Sequence, residues 1–185
     1  ELALYRAVMA AALLGGCLLL SKRRIDWHAL RRELILLLLS GAAMGVNWIL
    51  LFEAYRHTTV SVATLSYYFA PVLVTVACPI LFQEKLTKRQ GVCFVFATLG
   101  LVLVIGVDGL QGGGTDALGV FFGLGAAAFY ATVIVLNKLI RSVAGLERTL
   151  LQFIAAILIL IPYVAVTGGV SFGGMDGRGW LCLLI

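Results

Sequence analysis

The side chains of this chain that could do chemistry lie inside long apolar runs. Asn47, Trp48 and Glu53 fall in one run, Tyr67, Tyr68, Pro71 and Thr75 in the next, and Tyr130 in a later one. A polar or ionisable group in an apolar helix is costly to set against hydrocarbon, so it faces a bundle interior, a cavity or a partner. These eight residues are the candidate lining of a substrate cavity. Counted from Glu33 at about 1.5 Å per residue, Asn47 lies somewhat past the middle of its run and Glu53 near its far edge. Six residues at about 100° each set the two roughly 120° apart around the helix, so they cannot share one narrow face.

The next run has a clearer pattern. Ser61, Thr64, Tyr68, Pro71, Thr75 and Pro79 recur at intervals of three or four, which aligns them on one helical face. Prolines free carbonyls and bend a membrane helix, and the freed groups need protein or water partners. The alternative is that these hydroxyls bond back to their own helix and the tyrosines belong to an interfacial aromatic belt. Tyr67 and Tyr68 lie deeper than a belt requires. For Glu53 the alternative is a carboxylate satisfied near Arg56 or His57.

No catalytic motif accompanies these residues. The chain has no HExxH, GxSxG, SxxK or P-loop pattern, and its histidines are His28 and His57 alone. Gly123-Leu124-Gly125-Ala126-Ala127-Ala128 imitates a dinucleotide fingerprint, but no strand precedes it. Cys17, Cys78, Cys93 and Cys182 fall within or at the ends of apolar runs with no CxxC spacing, and are expected to be small buried hydrophobes. Enzyme activity, a cofactor and a metal site are therefore not expected, and any transport must be driven by gradients.

The elements that must position the candidates follow from composition. The 185 residues are 62% hydrophobic and 12% charged, against about 25% charged in a soluble domain. Apolar runs at 2–20, 34–52, 60–82, 91–107, 117–136 and 149–167 each approach the roughly 20 residues that span a bilayer, and a seventh begins near Trp180. The runs are continuous rather than alternating, so the fold class is an all-α polytopic membrane protein. Gly41 and Gly45, and Gly119 and Gly123, have the small-xxx-small spacing that lets membrane helices approach closely.

Charge orients the spans. The net charge is +5, and eleven of the fourteen Lys and Arg fall in three alternate connections: Lys22 to Arg32, Lys85 to Arg89, and Lys138 to Arg148. The positive-inside rule places those connections in the cytoplasm, so the basic charge serves topology and a nucleic-acid partner is not expected. Residues 108–116, with four glycines, read as an external linker between two halves. Leu4-Tyr5-Arg6 and Leu146-Glu147-Arg148 open apolar spans that enter the membrane from opposite sides, a weak echo of an inverted-topology repeat. The chain opens without Met and stops within an apolar run, so helices are expected before Glu1 and after Ile185.

At the second to fourth spans the chain resembles the EamA-type transporters of the drug/metabolite transporter superfamily. The resemblance is carried by Asn47 through Ser61, by Tyr67-Tyr68-Phe69-Ala70-Pro71, and by Phe82-Gln83-Glu84-Lys85-Leu86-Thr87 with Gly91. Gln83 departs from the glycine usual before the glutamate. The resemblance implies ten helices in two inverted five-helix repeats, both termini cytoplasmic, and a central cavity. Residues 1–108 would then be a first repeat lacking its first helix, 109–116 the external Gly-rich linker, and 117–185 the start of a second repeat, reaching the beginning of helix eight.

The expected function is secondary transport of small metabolites by alternating access, with export of amino acids or related or toxic small molecules, from a multi-pass position in the inner membrane. Expected partners are the lipid bilayer, a small-molecule solute and a coupling ion such as H+, and a homodimer is compatible with this reading. The fragment alone is not expected to transport. A non-transporting membrane protein, either an assembly partner or an enzyme with its catalytic groups outside this sequence, is the other class.

Overall fold

A computed structural model describes residues 2–20, 27–83, 87–109, 115–143 and 145–167. Every element among them is a helix: α1 (Leu2–Leu20), α2 (Trp27–His57), α3 (Val60–Tyr67), α4 (Ala70–Phe82), α5 (Lys88–Gly109), α6 (Thr115–Leu139) and α7 (Gly145–Thr167). Helices are thus present at all six expected apolar runs. Four stretches are long and apolar enough to cross a membrane: Leu30–His57, Val60–Pro79, Ala117–Leu139 and Gly145–Thr167. The expected seventh span, residues 21–26 with their basic side chains, Glu84 to Leu86 and the middle of the Gly-rich linker lie outside the described residues. The linker is shorter than expected, since α5 runs to Gly109 and α6 starts at Thr115.

One span is broken in the middle. α3 starts on Thr59, whose hydroxyl accepts from the Val62 amide at 3.4 Å, and ends at Tyr67. Pro71 has no N–H to offer the carbonyl of Tyr67, four residues back, and stands in the first turn of α4 where that loss is tolerated. The chain turns at Tyr68 and Phe69 before α4 begins. At the far end of α4 the backbone of Gln83 is left-handed, with φ 53° and ψ 31°. A glycine would adopt that conformation without a Cβ penalty, which is the physical reason for glycine at this place in the motif.

Helices in lipid gain little from hydrophobic burial against one another, so close backbone approach has to hold them. Gly41 and Gly45 on α2 meet α7: a Cβ on Gly41 would lie 2.5 Å from Ala155 Cβ and 2.7 Å from the Gln152 carbonyl oxygen. Gly119 on α6 is pressed against Thr58, and Gly123 against Ser66 and Ala63 of α3. The expected packing glycines therefore serve two different interfaces. α2 is central, lying along both α6 and α7, while α1 packs on α7, α3 and α4 pack on α6, and α5 is peripheral.

Apolar clusters close each end. Leu30, Leu37, Ile140 and Val143 pack where α2 begins and α6 ends, and Ala3, Ala7 and Leu160 pack at the opposite end with Trp48, Phe52 and Phe153. Large apolar side chains such as Leu13, Ile35, Phe96 and Leu158 are exposed on the outside, the surface a bilayer would cover. Cys17 and Cys93 are also exposed and Cys78 is half-buried, which corrects the expectation of buried cysteines. In a membrane helix the outward face is as apolar as the inward one, so a small apolar residue carries no signal of burial. Cys182 lies outside the described residues.

Candidate functional site

Polar side chains gather in three places, two of which hold candidates. The first surrounds Asn47, which is only 1% exposed in the middle of α2. Its side chain lies beside the Tyr67 phenol at the end of α3. The Tyr67 ring lies 5.5 Å from that of Tyr130 on α6 and 6.2 Å from that of Tyr68, at interplanar angles of 48° and 39°. Tyr55, two residues before the end of α2, joins the group, and its hydroxyl is 3.4 Å from Thr64 Oγ1. Three elements thus converge: α2 supplies the amide, the α3 break supplies two phenols, and α6 supplies a third. Tyr68 is 65% and Tyr130 37% exposed, so the group is a wall with an open side. Asn47 Oδ1, on its inner side, is buried with no hydrogen-bond donor among the described residues.

Trp48, one residue on, faces elsewhere. Its ring lies 5.7 Å from that of Phe153 on α7, and it lines a cavity of about 130 Å³ with Ala3, Arg6, Leu51, Phe52 and Tyr55. Neighbouring residues on a helix point about 100° apart, so Asn47 and Trp48 face different sides of α2.

Glu53 is the centre of the second place. Its carboxylate accepts hydrogen bonds from the Tyr163 hydroxyl of α7 and from the Arg56 guanidinium at 3.0 and 3.3 Å, and His57 Nε2 is 3.9 Å away. Arg56 and His57 are the neighbours expected from the sequence. Tyr163, which links α2 to α7, is not legible there, since 110 residues separate it from Glu53.

Pro71 and Thr75 form the rest of the expected stripe. Pro71 is exposed at the start of α4, and the Thr75 hydroxyl donates to the Pro71 carbonyl at 2.8 Å. Ser66 and Thr132 bond back to their own helices in the same way. An apolar groove of about 610 Å³ runs between α4, α5 and α6, lined by Leu73, Val76, Phe94, Ala131 and Val135 among others.

A third polar group, at the end where α2 begins, has no counterpart in the sequence reading. Gln152 of α7 is 4% exposed and donates from Nε2 to Ser40 Oγ of α2 at 2.6 Å and to Asn137 Oδ1 of α6. Nearby, the Glu33 carboxylate accepts from the Arg141 and Ser142 backbone amides at 3.2 to 3.3 Å and from Ser142 Oγ at 2.8 Å. Arg148 donates to the Asn137 and Ile140 carbonyls at the end of α6, at 3.3 Å each. Buried polar groups persist where they satisfy one another, and this set ties three helices together rather than opening a binding surface.

Comparison with known proteins fits this architecture. A sequence profile of the EamA-like transporter family matches residues 1–106. An uncharacterized transporter, YxxF of Bacillus subtilis (strain 168), is 30% identical over 190 residues, which cover 100% of this chain and 58% of that protein. The uncharacterized inner membrane transporter YhbE of Escherichia coli (strain K12) is 28% identical over 164 residues, covering 85% of this chain and 51% of its own length. Solute carrier family 35 member G1 of Homo sapiens is 25% identical over 153 residues, covering 77% of this chain and 41% of that protein. The chain thus spans about half the length of the curated relatives it matches. No solved structure matches it. A profile that covers more than half of the chain, on a bundle of apolar helices broken at Pro71, places this polytopic membrane protein in the EamA-like transporter family.

Proposed function

We propose that this chain is the part of a secondary transporter that contributes one wall of its solute site, the wall formed by Asn47, Tyr67, Tyr68 and Tyr130. The observation that carries this reading is an amide buried in mid-helix with one unsatisfied oxygen, next to phenols on two further elements that remain open on their other side. Polar groups at such depth mark solute paths in membrane proteins.

The two halves meet at this wall, since α2 and α3 precede the Gly-rich linker and α6 follows it. On this reading residues 1–108 belong to a first repeat and 117–185 to a second of inverted topology. The antiparallel packing of α1 on α7 supports it: Ala3 and Ala7, near the start of α1, touch Leu160, near the end of α7. Transport proceeds by alternating access, and the solutes are small metabolites exported across the inner membrane, amino acids and related or toxic molecules among them. Arg31 and Arg32, Lys88 and Arg89, and Lys138 to Arg148 face the cytoplasm. A coupling ion such as H+ drives the cycle, and the protein is not an enzyme.

The test is flux through the whole protein reconstituted in vesicles. Tyr68→Ala, at an exposed position outside the packed core, is expected to lower flux several-fold at unchanged membrane abundance. Unchanged flux with Tyr68→Ala would count against the wall as the solute site, and no ion-driven flux of any tested solute would favour a non-transporting membrane protein.

A further inference from the structure

We propose that the tyrosine wall recognises the ammonium group of an amine-bearing solute. The proposal rests on the transport reading for its site and adds the chemical class of the group bound there.

Three observations carry it. The Tyr67 ring is tilted against those of Tyr68 and Tyr130, with centroids 6.2 and 5.5 Å away, and the latter two are exposed. Ring faces carry the negative end of the aromatic quadrupole and attract a cation within about 6 Å of the centroid. Secondly, the side chains that build the wall among the described residues, Asn47, Tyr55, Tyr67, Tyr68 and Tyr130, are all uncharged amides or phenols. A carboxylate or phosphate would find no counter-charge among them. Thirdly, Asn47 Oδ1 is an acceptor with no donor among the described residues, and an N–H group entering beside Tyr67 would satisfy it. Guanidinium, primary ammonium and alkylated ammonium groups share the required positive charge; the unfilled amide oxygen favours those that retain an N–H.

The alternative chemistry, a carboxylate held by the tyrosine hydroxyls, predicts different behaviour. Removing a hydroxyl and removing a ring are separable changes. An ammonium on the ring face loses most of its affinity when the ring goes, and little when the hydroxyl alone goes. A carboxylate on the hydroxyl loses as much either way.

The experiment is a saturation-transfer NMR titration of the whole protein in phosphatidylcholine nanodiscs, with pentylammonium and pentanoate as probes and empty nanodiscs as the blank. Pentylammonium is expected to bind saturably and pentanoate at least tenfold more weakly. Tyr130→Leu is expected to weaken pentylammonium binding about tenfold, the order of one desolvated cation–π contact, and Tyr130→Phe to recover most of that loss. Tyr68→Leu, at the most exposed ring, gives the same comparison if Tyr130→Leu does not fold. Equal affinity for the two probes, no saturable pentylammonium binding, or equal losses with Leu and Phe would overturn the proposal. If vesicles move solute while pentylammonium neither binds nor competes, the ammonium assignment fails and the transport reading stands. If pentylammonium binds as expected and no solute moves, the transport reading fails and the ammonium site stands.

Discussion

Gly41→Ala is the most direct perturbation of the packing that holds the site. A methyl group at Gly41 would sit 2.5 Å from Ala155 Cβ, 2.7 Å from the Gln152 carbonyl oxygen and 3.0 Å from Gln152 Cα. Carbon atoms in contact prefer about 3.5 to 4.0 Å, so roughly an ångström must be found. Two of the three obstructing atoms are backbone, and no side-chain rotation can provide it, so α2 and α7 have to move apart. Inserting a group into a close-packed interface costs about 1 to 3 kcal/mol. Against this, alanine is favoured over glycine within a helix by about 1 kcal/mol.

Gly125→Ala isolates the packing cost. It carries the same helix preference, but its added methyl would meet only Leu50 Cδ1, at an ordinary 3.5 Å. The propensity gain cancels in the comparison, leaving Gly41→Ala less stable than Gly125→Ala by about 1 to 3 kcal/mol, or roughly 5- to 150-fold in the unfolding constant. The assay is detergent-induced unfolding of the whole protein, both variants read at the same denaturing mole fraction. If Gly41→Ala proved as stable as Gly125→Ala, the close α2–α7 approach would not be what holds these helices together.

Gln152→Leu leaves Ser40 and Asn137 without their shared donor and is expected to destabilise the protein by about 1 to 3 kcal/mol; adding Ser40→Ala should restore part of the loss in the same unfolding assay. Tyr163→Phe is expected to cost about 1 to 2 kcal/mol, because it deprives the half-buried Glu53 carboxylate of a donor from another helix. Arg56→Ala at a side chain 70% exposed should change stability by less than about 0.5 kcal/mol. Gln83→Gly removes a left-handed non-glycine residue and is expected to stabilise the protein by up to about 1 kcal/mol, so a loss of stability there would show that the Gln83 side chain makes up for its backbone.

The spans were legible because a membrane helix announces itself by length and apolarity, and the prolines announced a bend, which at Pro71 is a full break and at Pro79 is not. The glycine pairs were legible as packing sites, although nothing in their spacing told Gly41 that its partner is α7 or Gly123 that its partner is α3. Asn47 drew notice as a polar residue in hydrocarbon, whereas Trp48 beside it was grouped with it and points to a different pocket. What stayed hidden shares one cause. Gln152 with Ser40, and Tyr163 with Glu53, are pairs 112 and 110 residues apart, and each member alone reads as an ordinary polar residue near the end of a span. Periodicity, which sorts inside from outside in a soluble helix, fails where lipid makes both faces apolar, and so Cys17 and Cys93 were assigned to the wrong face.

The same chemistry explains why the bundle concentrates its specific links at its ends. Apolar contact between helices is nearly matched by apolar contact with lipid, so what distinguishes one packing from another is close approach at glycines and a few hydrogen bonds. Around α2 these include Glu33 on Ser142 at one end, Glu53 on Tyr163 at the other, and, between them, the two glycines and the Ser40–Gln152 hydrogen bond. Each end link joins an element before the Gly-rich linker to one after it. On the alternating-access proposal, opening either end would break a few hydrogen bonds and part the small apolar cluster there, with the glycine contact between the two ends as the fulcrum. For a protein proposed to expose its site to one side and then the other, that distribution matters more than the total stability: Asn47 and the tyrosines sit between the two links, where opening either end would give access to them.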